Sequence, residues 1–202
     1  MVEIEYEKVR VRLGDPELVY EPAEDSFLLA CAALKEVKPG MRVLEVGTGS
    51  GFVSAFLLNK VPEIFLIATE INPHAALCAK MNGVQVIRTD LFQGIRHRCP
   101  VSCFDLILFN PPYLPTSGEE RVPGWLNYAF DGGKNGRETL DRFLDEVKAY
   151  LKPGGKILIL ISSLTGLEAV EKKMKDSGFK TEVLKKKKIS FEELAVLKGE
   201  FI

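Results

Sequence analysis

What this chain lacks narrows it before any motif is considered. Its 202 residues include two histidines, one tryptophan and four cysteines. The cysteines, Cys31, Cys78, Cys99 and Cys103, form no Cys-x-x-Cys pair, and with so few histidines no metal centre is expected. Cys31 and Cys78 fall in helical patterns and read as small buried hydrophobes. Cys99 and Cys103 are four apart in a loop, where a metal or redox role is set aside. The net charge of −1 lacks the footprint of a dedicated nucleic-acid binder, although a local basic patch stays open. No apolar run reaches the roughly 20 residues of a membrane span. The charged N-terminus has no signal-peptide core, so a reduced, cytoplasmic setting is expected. Internal repeats and low-complexity stretches are missing too, which leaves an ordinary globular composition.

What is present is alternation. Helical spacing over residues 24–37 carries Phe27, Leu28, Cys31 and Leu34, with Glu24 and Asp25 at its positive end. A buried strand follows at 41–46, a helix at 51–59 and a strand at 64–69. Asn72-Pro73 supplies a cap and a first-turn proline for a helix to Asn82. Strands are expected at 84–88, 104–109 and 156–161. Asn135 with Glu138 fits a capping box, and Thr165 with Glu168 caps a last helix. Two consecutive strands close the chain, at 179–184 and 191–201. Such an order predicts a parallel sheet with helices on both faces. The closing strands, with no helix between them, must pair as an antiparallel hairpin. Residues 1–202 are expected to form one domain. Within it, 1–40 hold N-terminal strands, turning at Gly14-Asp15-Pro16, and a helix, while 113–135 form a substrate-side loop.

Glu45-Val46-Gly47-Thr48-Gly49-Ser50-Gly51 stands between a strand and a helix. Missing side chains at Gly47, Gly49 and Gly51 let a ligand approach the backbone. A dinucleotide fingerprint would need its third glycine at Phe52. A pyrophosphate would also avoid the carboxylate of Glu45, whereas a cationic methionine group profits from it. Glu70 ends the next strand, 19 residues after Gly51, where a carboxylate can accept both ribose hydroxyls. Asp90 ends the strand after that and suits an adenine amino group, with Leu91 or Phe92 against the ring.

Asn110-Pro111-Pro112-Tyr113 follows the apolar run Phe104-Asp105-Leu106-Ile107-Leu108-Phe109. Two prolines set the backbone direction and remove N–H donors. Two acceptors remain, the Asn110 side-chain oxygen and the Pro111 carbonyl. Together they can grip both N–H bonds of a planar amide or exocyclic amino group, with Tyr113 packed on its face. Methyl transfer to such a nitrogen needs in-line placement at roughly 3–3.5 Å and no strong base.

These residues resemble class I methyltransferases that use S-adenosylmethionine, and within them the HemK-like glutamine methyltransferases. The residues Val19-Tyr20-Glu21-Pro22-Ala23-Glu24-Asp25-Ser26-Phe27-Leu28-Leu29 are similar to the opening segment of the short archaeal and eukaryotic branch. The stretch Phe130-Asp131-Gly132-Gly133-Lys134-Asn135-Gly136-Arg137-Glu138 and the closing Glu193-Leu194-Ala195-Val196-Leu197-Lys198 fit it as well. The bacterial branch carries a further N-terminal helical domain, for which this chain has no room. Glu70 stands where an aspartate is frequent.

The resemblance implies a mostly parallel seven-stranded Rossmann-like sheet and methyl transfer to the glutamine of the Gly-Gly-Gln loop in a translation release factor, leaving S-adenosylhomocysteine. It implies cofactor contacts from Glu45, Gly47, Thr48, Gly49, Gly51, Glu70, Ile71, Asp90, Leu91 and Asn110. Tyr20, Pro22, Asn110, Pro111 and Tyr113 would meet the substrate, and Asn110, Pro111, Pro112 and Tyr113 would form the catalytic loop. A small zinc-binding activator protein is implied beside the third strand, at Val84-Gln85-Val86-Ile87-Arg88 with Leu91 and Phe92, unless those apolar residues belong to the core.

Other readings stay open. The same tetrapeptide serves exocyclic adenine or guanine nitrogens of DNA or RNA, against which the charge and length count. A non-catalytic cofactor binder would need damage to Asn110 or the glycine loop. Lys185, Lys186, Lys187 and Lys188 suit RNA or a solvated hairpin turn. His74 suits the ribose or plain exposure, and Trp125 a lid or simple packing.

Overall fold

The computed structural model describes residues 3–95, 103–116 and 124–202; Cys99 and part of the 113–135 loop lie outside these. The chain opens with a hairpin, β1 (Glu3–Tyr6) and β2 (Val9–Arg12), joined through Glu7 and Lys8 at φ 44° and 68°. Two positive φ values make the tight turn that suits twisted antiparallel strands. The reversal therefore comes before Gly14-Asp15-Pro16, the expected turn.

Helices and strands then alternate: α1 (Glu24–Glu36), β3 (Arg42–Val46), α2 (Phe52–Lys60), β4 (Phe65–Glu70), α3 (Pro73–Met81), β5 (Val86–Arg88), β6 (Phe104–Phe109), α4 (Glu138–Glu146), β7 (Leu151–Ser162), α5 (Leu167–Asp176), β8 (Phe179–Lys188) and β9 (Glu193–Phe201). The seven-stranded sheet runs β5-β4-β3-β6-β7-β9-β8. The first five strands are parallel, while β9 pairs antiparallel with both β7 and β8.

Period-two burial splits the core into two layers. Leu106, Leu108, Leu158 and Leu160 face α1 and α2 through Leu29, Phe52 and Phe56. Ile107, Phe109, Ile157 and Ile159 face α4 and α5 through Leu140, Phe143, Val170 and Met174. Strand order reverses beside β3, and an open α/β sheet places its crevice at the carboxyl ends of strands at such a point. No helix among the described residues is long and apolar enough to cross a membrane.

Four local expectations need correction. Asn135 is not the cap of α4: the helix starts at Glu138 after Arg137, and the Asn135 Oδ1 accepts from the Arg137 backbone instead. Glu138 turns back to the Lys134 N–H, because the preceding Gly132–Gly133 turn has already set the chain's direction. Thr165 likewise gives way to Gly166 at the start of α5 and donates to the Ser162 carbonyl. Strand β7, expected from 156, already takes in Lys152-Pro153-Gly154-Gly155. Finally, Lys185 to Lys188 belong to β8, paired with residues 193–196, and the turn is left to 189–192. Edge strands commonly carry lysines, which discourage further strand addition.

Candidate functional site

Four sheet ends converge on one cavity of about 660 Å³. The loop after β3 supplies Glu45, Gly47, Thr48 and Gly49. The end of β4 supplies Thr69, Glu70 and Ile71, and the end of β5 supplies Asp90 and Leu91. Asn110, Pro111, Pro112 and Tyr113 leave β6, and Tyr20, Pro22 and Asp25 close it from the N-terminal side.

The β3 loop is built around two acids. Glu45 is buried, and its Oε2 accepts from the Thr48 hydroxyl at 2.6 Å, the Ser54 N–H at 3.1 Å and the Ser54 hydroxyl. It thereby ties the loop to the first turn of α2. Burial pushes its carboxyl up to about 7, against the pull of the Ser54 and Thr48 hydrogen bonds. Glu70 accepts from the Gly49 N–H through Oε2 and from the Asn72 N–H through Oε1, both at 2.8 Å. Burial raises its carboxyl as well, and these backbone bonds oppose the rise. Each Glu70 oxygen keeps a lone pair for a further donor. Asn72 caps α3 as expected, accepting from His74 and Ala75, and its amide donates to the Leu18 carbonyl.

The three glycines divide their work. Gly47 and Gly49 have φ of 62° and 57°, and a Cβ on Gly49 would meet nothing within 4 Å. That open space faces the cavity. Gly51 does not line it. A Cβ there would stand 2.8 Å from the Ala79 Cα, so this glycine serves the packing of α2 against α3.

Asp90 lines the cavity and pairs with Arg142 of α4 at 2.6 Å. Leu91 lines it too, whereas Phe92 is fully buried between Phe143 and Tyr150 and does not line the cavity. Val84 is also buried, so of the apolar residues expected to form the β5 edge Val86 and Ile87 are partly open, while Gln85 and Arg88 are exposed. His74 is exposed and outside the cavity. Cys31 lies in α1 and meets the Tyr6 hydroxyl at 3.1 Å; Cys78 is buried in α3.

On the opposite wall, Asn110 Oδ1 is buried with no hydrogen-bond partner among the described residues, while its Nδ2 donates to Asp25 at 3.0 Å. Burial raises the Tyr113 phenol, helped by Asp25 and Glu192. Trp125 and Tyr128 sit on a short 3-10 helix, Trp125–Ala129, that borders the cavity, and Phe130 packs edge-on against Tyr20 at 5.3 Å.

Asp25, Thr69, Phe130 and Arg142 were not expected as site residues. Asp25 read as a charge at a helix start, and only tertiary packing turns it inward. Thr69 has a buried hydroxyl with no partner among the described residues, a signal that a sequence does not carry.

The "Methyltransferase small domain" family matches residues 25–122. A Methanocaldococcus jannaschii protein named for protein N5-glutamine methyltransferase activity is 46% identical over 200 residues, covering 96% of each chain. Human methyltransferase HEMK2 is 39% identical over 190 residues, covering 89% of this chain and 88% of its own. Among solved structures, the E. cuniculi Mtq2–Trm112 complex, responsible for methylation of the eRF1 translation termination factor, aligns with a TM-score of 0.72. Its sequence is 28% identical, and the alignment covers 91% of this chain and 99% of that one.

Proposed function

The chain belongs to the HemK-like protein N5-glutamine methyltransferases, class I enzymes dependent on S-adenosylmethionine, and from that premise we propose that its cavity methylates the side-chain amide of the glutamine in the Gly-Gly-Gln loop of a translation release factor. One observation carries this reading. Asn110 Oδ1 is a buried acceptor with no partner, followed by two prolines that offer no N–H. A site with an unpaired acceptor and no competing donor fits a group that brings N–H bonds.

The residues present fit the cofactor. Gly47 and Gly49 keep backbone accessible, Glu70 has acceptor capacity on both oxygens, and the Thr69 hydroxyl is buried and unpartnered. Glu45, Gly47, Thr48 and Gly49 would hold its amino-acid end, Glu70 and Ile71 its ribose, and Asp90 with Leu91 its adenine. When bound, it supplies an electrophilic methyl group on a sulfonium.

The protein's own part is orientation. Asn110 Oδ1 and the Pro111 carbonyl accept the two N–H bonds of the target amide and hold its nitrogen in line. Tyr113 packs on the flat group, and Tyr20 and Pro22 border the same wall. Positioning of this kind accounts for a large share of the rate where no base is needed.

An activator partner also fits. Among the described residues strand β5 has one unpaired edge, and Phe65, Leu77 and Met81 expose large apolar surface on β4 and α3 beside it. We read this region as the dock for a small zinc-binding protein, in keeping with the Trm112-bound relative. Residues 1–202 are read as one methyltransferase domain acting in the cytoplasm on its release factor.

The experiment is transfer of labelled methyl from S-adenosylmethionine to a release factor, with its Gln→Ala variant, DNA and RNA alongside. Label on the factor that disappears with Gln→Ala is expected. Label in nucleic acid, with none in the factor, would overturn the reading.

A further inference from the structure

Asp25 stands in the first turn of α1 and is 4% exposed. Four donors point at it. Its Oδ1 accepts from the Ser26 N–H at 2.6 Å and the Ser26 hydroxyl at 3.2 Å. Its Oδ2 accepts from the Tyr20 hydroxyl at 3.2 Å and from Asn110 Nδ2 at 3.0 Å.

A carboxylate is an acceptor on both sides, whereas an asparagine amide has one accepting and one donating end. The orientation of Asn110 is therefore not free. Turned by 180°, it would set its Oδ1 against the Asp25 carboxylate, acceptor against acceptor, and swing its NH2 into the cavity. As it stands, the NH2 is held and Oδ1 is left buried with no partner. Leaving a buried carbonyl unpaired is unfavourable, so another contact must hold it in place. The contact to Asp25 does so.

We propose that Asp25 is the positioning residue that sets the polarity of Asn110, so that the site offers an oxygen and not an amino group to an incoming amide. This rests on the cavity being an amide-methylation site. A target amide brings two N–H bonds on its nitrogen. An Asn110 held the other way would meet them with N–H bonds of its own. Asp25 thus acts through Asn110.

A reciprocal exchange tests this. Asp25→Asn preserves size. The backbone N–H of Ser26 can only donate, so it keeps the oxygen of the new asparagine, whose NH2 then faces Asn110. Asn110 answers by turning its oxygen toward that NH2 and its own NH2 into the cavity. Turnover should fall ~10²-fold, the scale of losing one preorganised hydrogen-bonding group, with cofactor affinity and melting temperature nearly unchanged. Asn110→Asp alone sets two carboxylates against each other and should be similarly poor. Combined, the two substitutions restore complementarity: the amide at position 25 donates to one oxygen at position 110, and the other oxygen again faces the cavity. At least a tenfold recovery over either single variant is expected. A double variant no better than the singles overturns the proposal.

A second measurement needs no substrate. The Asn110 side-chain amide, labelled with 15N, should exchange its protons slowly in the wild-type protein and quickly in Asp25→Asn. Fast exchange in the wild-type protein, or equal protection in both, overturns the proposal without any assay. Protection as expected, from a protein that leaves release-factor glutamine unmethylated, supports the polarity device and refutes the substrate reading.

Discussion

At the residue scale, two side chains separate structure from chemistry. Glu45 is a buried carboxyl raised from its ordinary 4.5 to about 7, chiefly by burial. A raised carboxyl binds more protons folded than unfolded between those values. Its contribution to stability is therefore greatest at low pH and is lost as pH rises through that window. Relative to Glu45→Gln, whose amide oxygen can still accept from Thr48 and Ser54, the wild-type protein should lose up to about 3 kcal/mol between pH 4.5 and pH 7 and nothing further above it. Urea midpoints at pH 5, 6, 7 and 8 check this; parallel curves for the two proteins would refute it. Asn110 behaves differently. Its oxygen has no partner among the described residues and its amide makes a single bond, to Asp25, so Asn110→Ala should cost about 1–3 kcal/mol of stability and bind S-adenosylmethionine about as well. Its methyl-transfer rate should fall ~10²–10³-fold. Single-turnover labelling of the release factor reads the loss.

At the element scale, the β3 loop predicts a contrast between two glycines of one motif. Gly51 has φ 83°, and a Cβ would press on the Ala79 backbone at 2.8 Å. Gly51→Ala should cost about 2–4 kcal/mol, adding overpacking to backbone strain. Gly49, at φ 57° with open space around it, should cost only about 1 kcal/mol as Gly49→Ala, but that methyl intrudes where a ligand would lie. Melting curves should single out Gly51→Ala, and cofactor titrations Gly49→Ala. Sequence spacing presented the three glycines alike. What distinguishes them is α3, which packs under one and not the others. At the sheet edge, Leu77 on α3 is 60% exposed. Leu77→Asp should therefore leave stability within about 0.5 kcal/mol while weakening co-purification of the proposed activator. Full retention of that complex would move the dock elsewhere.

At the scale of the whole molecule, a ligand that binds only the folded chain raises its stability by mass action, about 2.7 kcal/mol at a hundredfold excess over Kd. S-adenosylmethionine should raise the melting temperature accordingly, and nicotinamide dinucleotides should not. The alternating order of strands and helices, the closing hairpin, the glycine loop after β3 and the Asn-Pro-Pro-Tyr loop after β6 were all legible in the sequence. Each depends on neighbours a few residues away: apolar periodicity, missing side chains, missing N–H groups. Other features were not legible. The lysines at 185–188 became strand because β9 offers them backbone partners. Asn135 and Thr165 lost their expected capping roles to turns set by neighbouring segments. Asp25 meets Asn110 across 85 residues, and Arg142 meets Asp90 across 52. Local chemistry thus determined which loops could bind and react. Only the packing of α1 and α4 against the sheet decided which distant charges orient them, because hydrogen bonds between remote residues exist only once the core has closed.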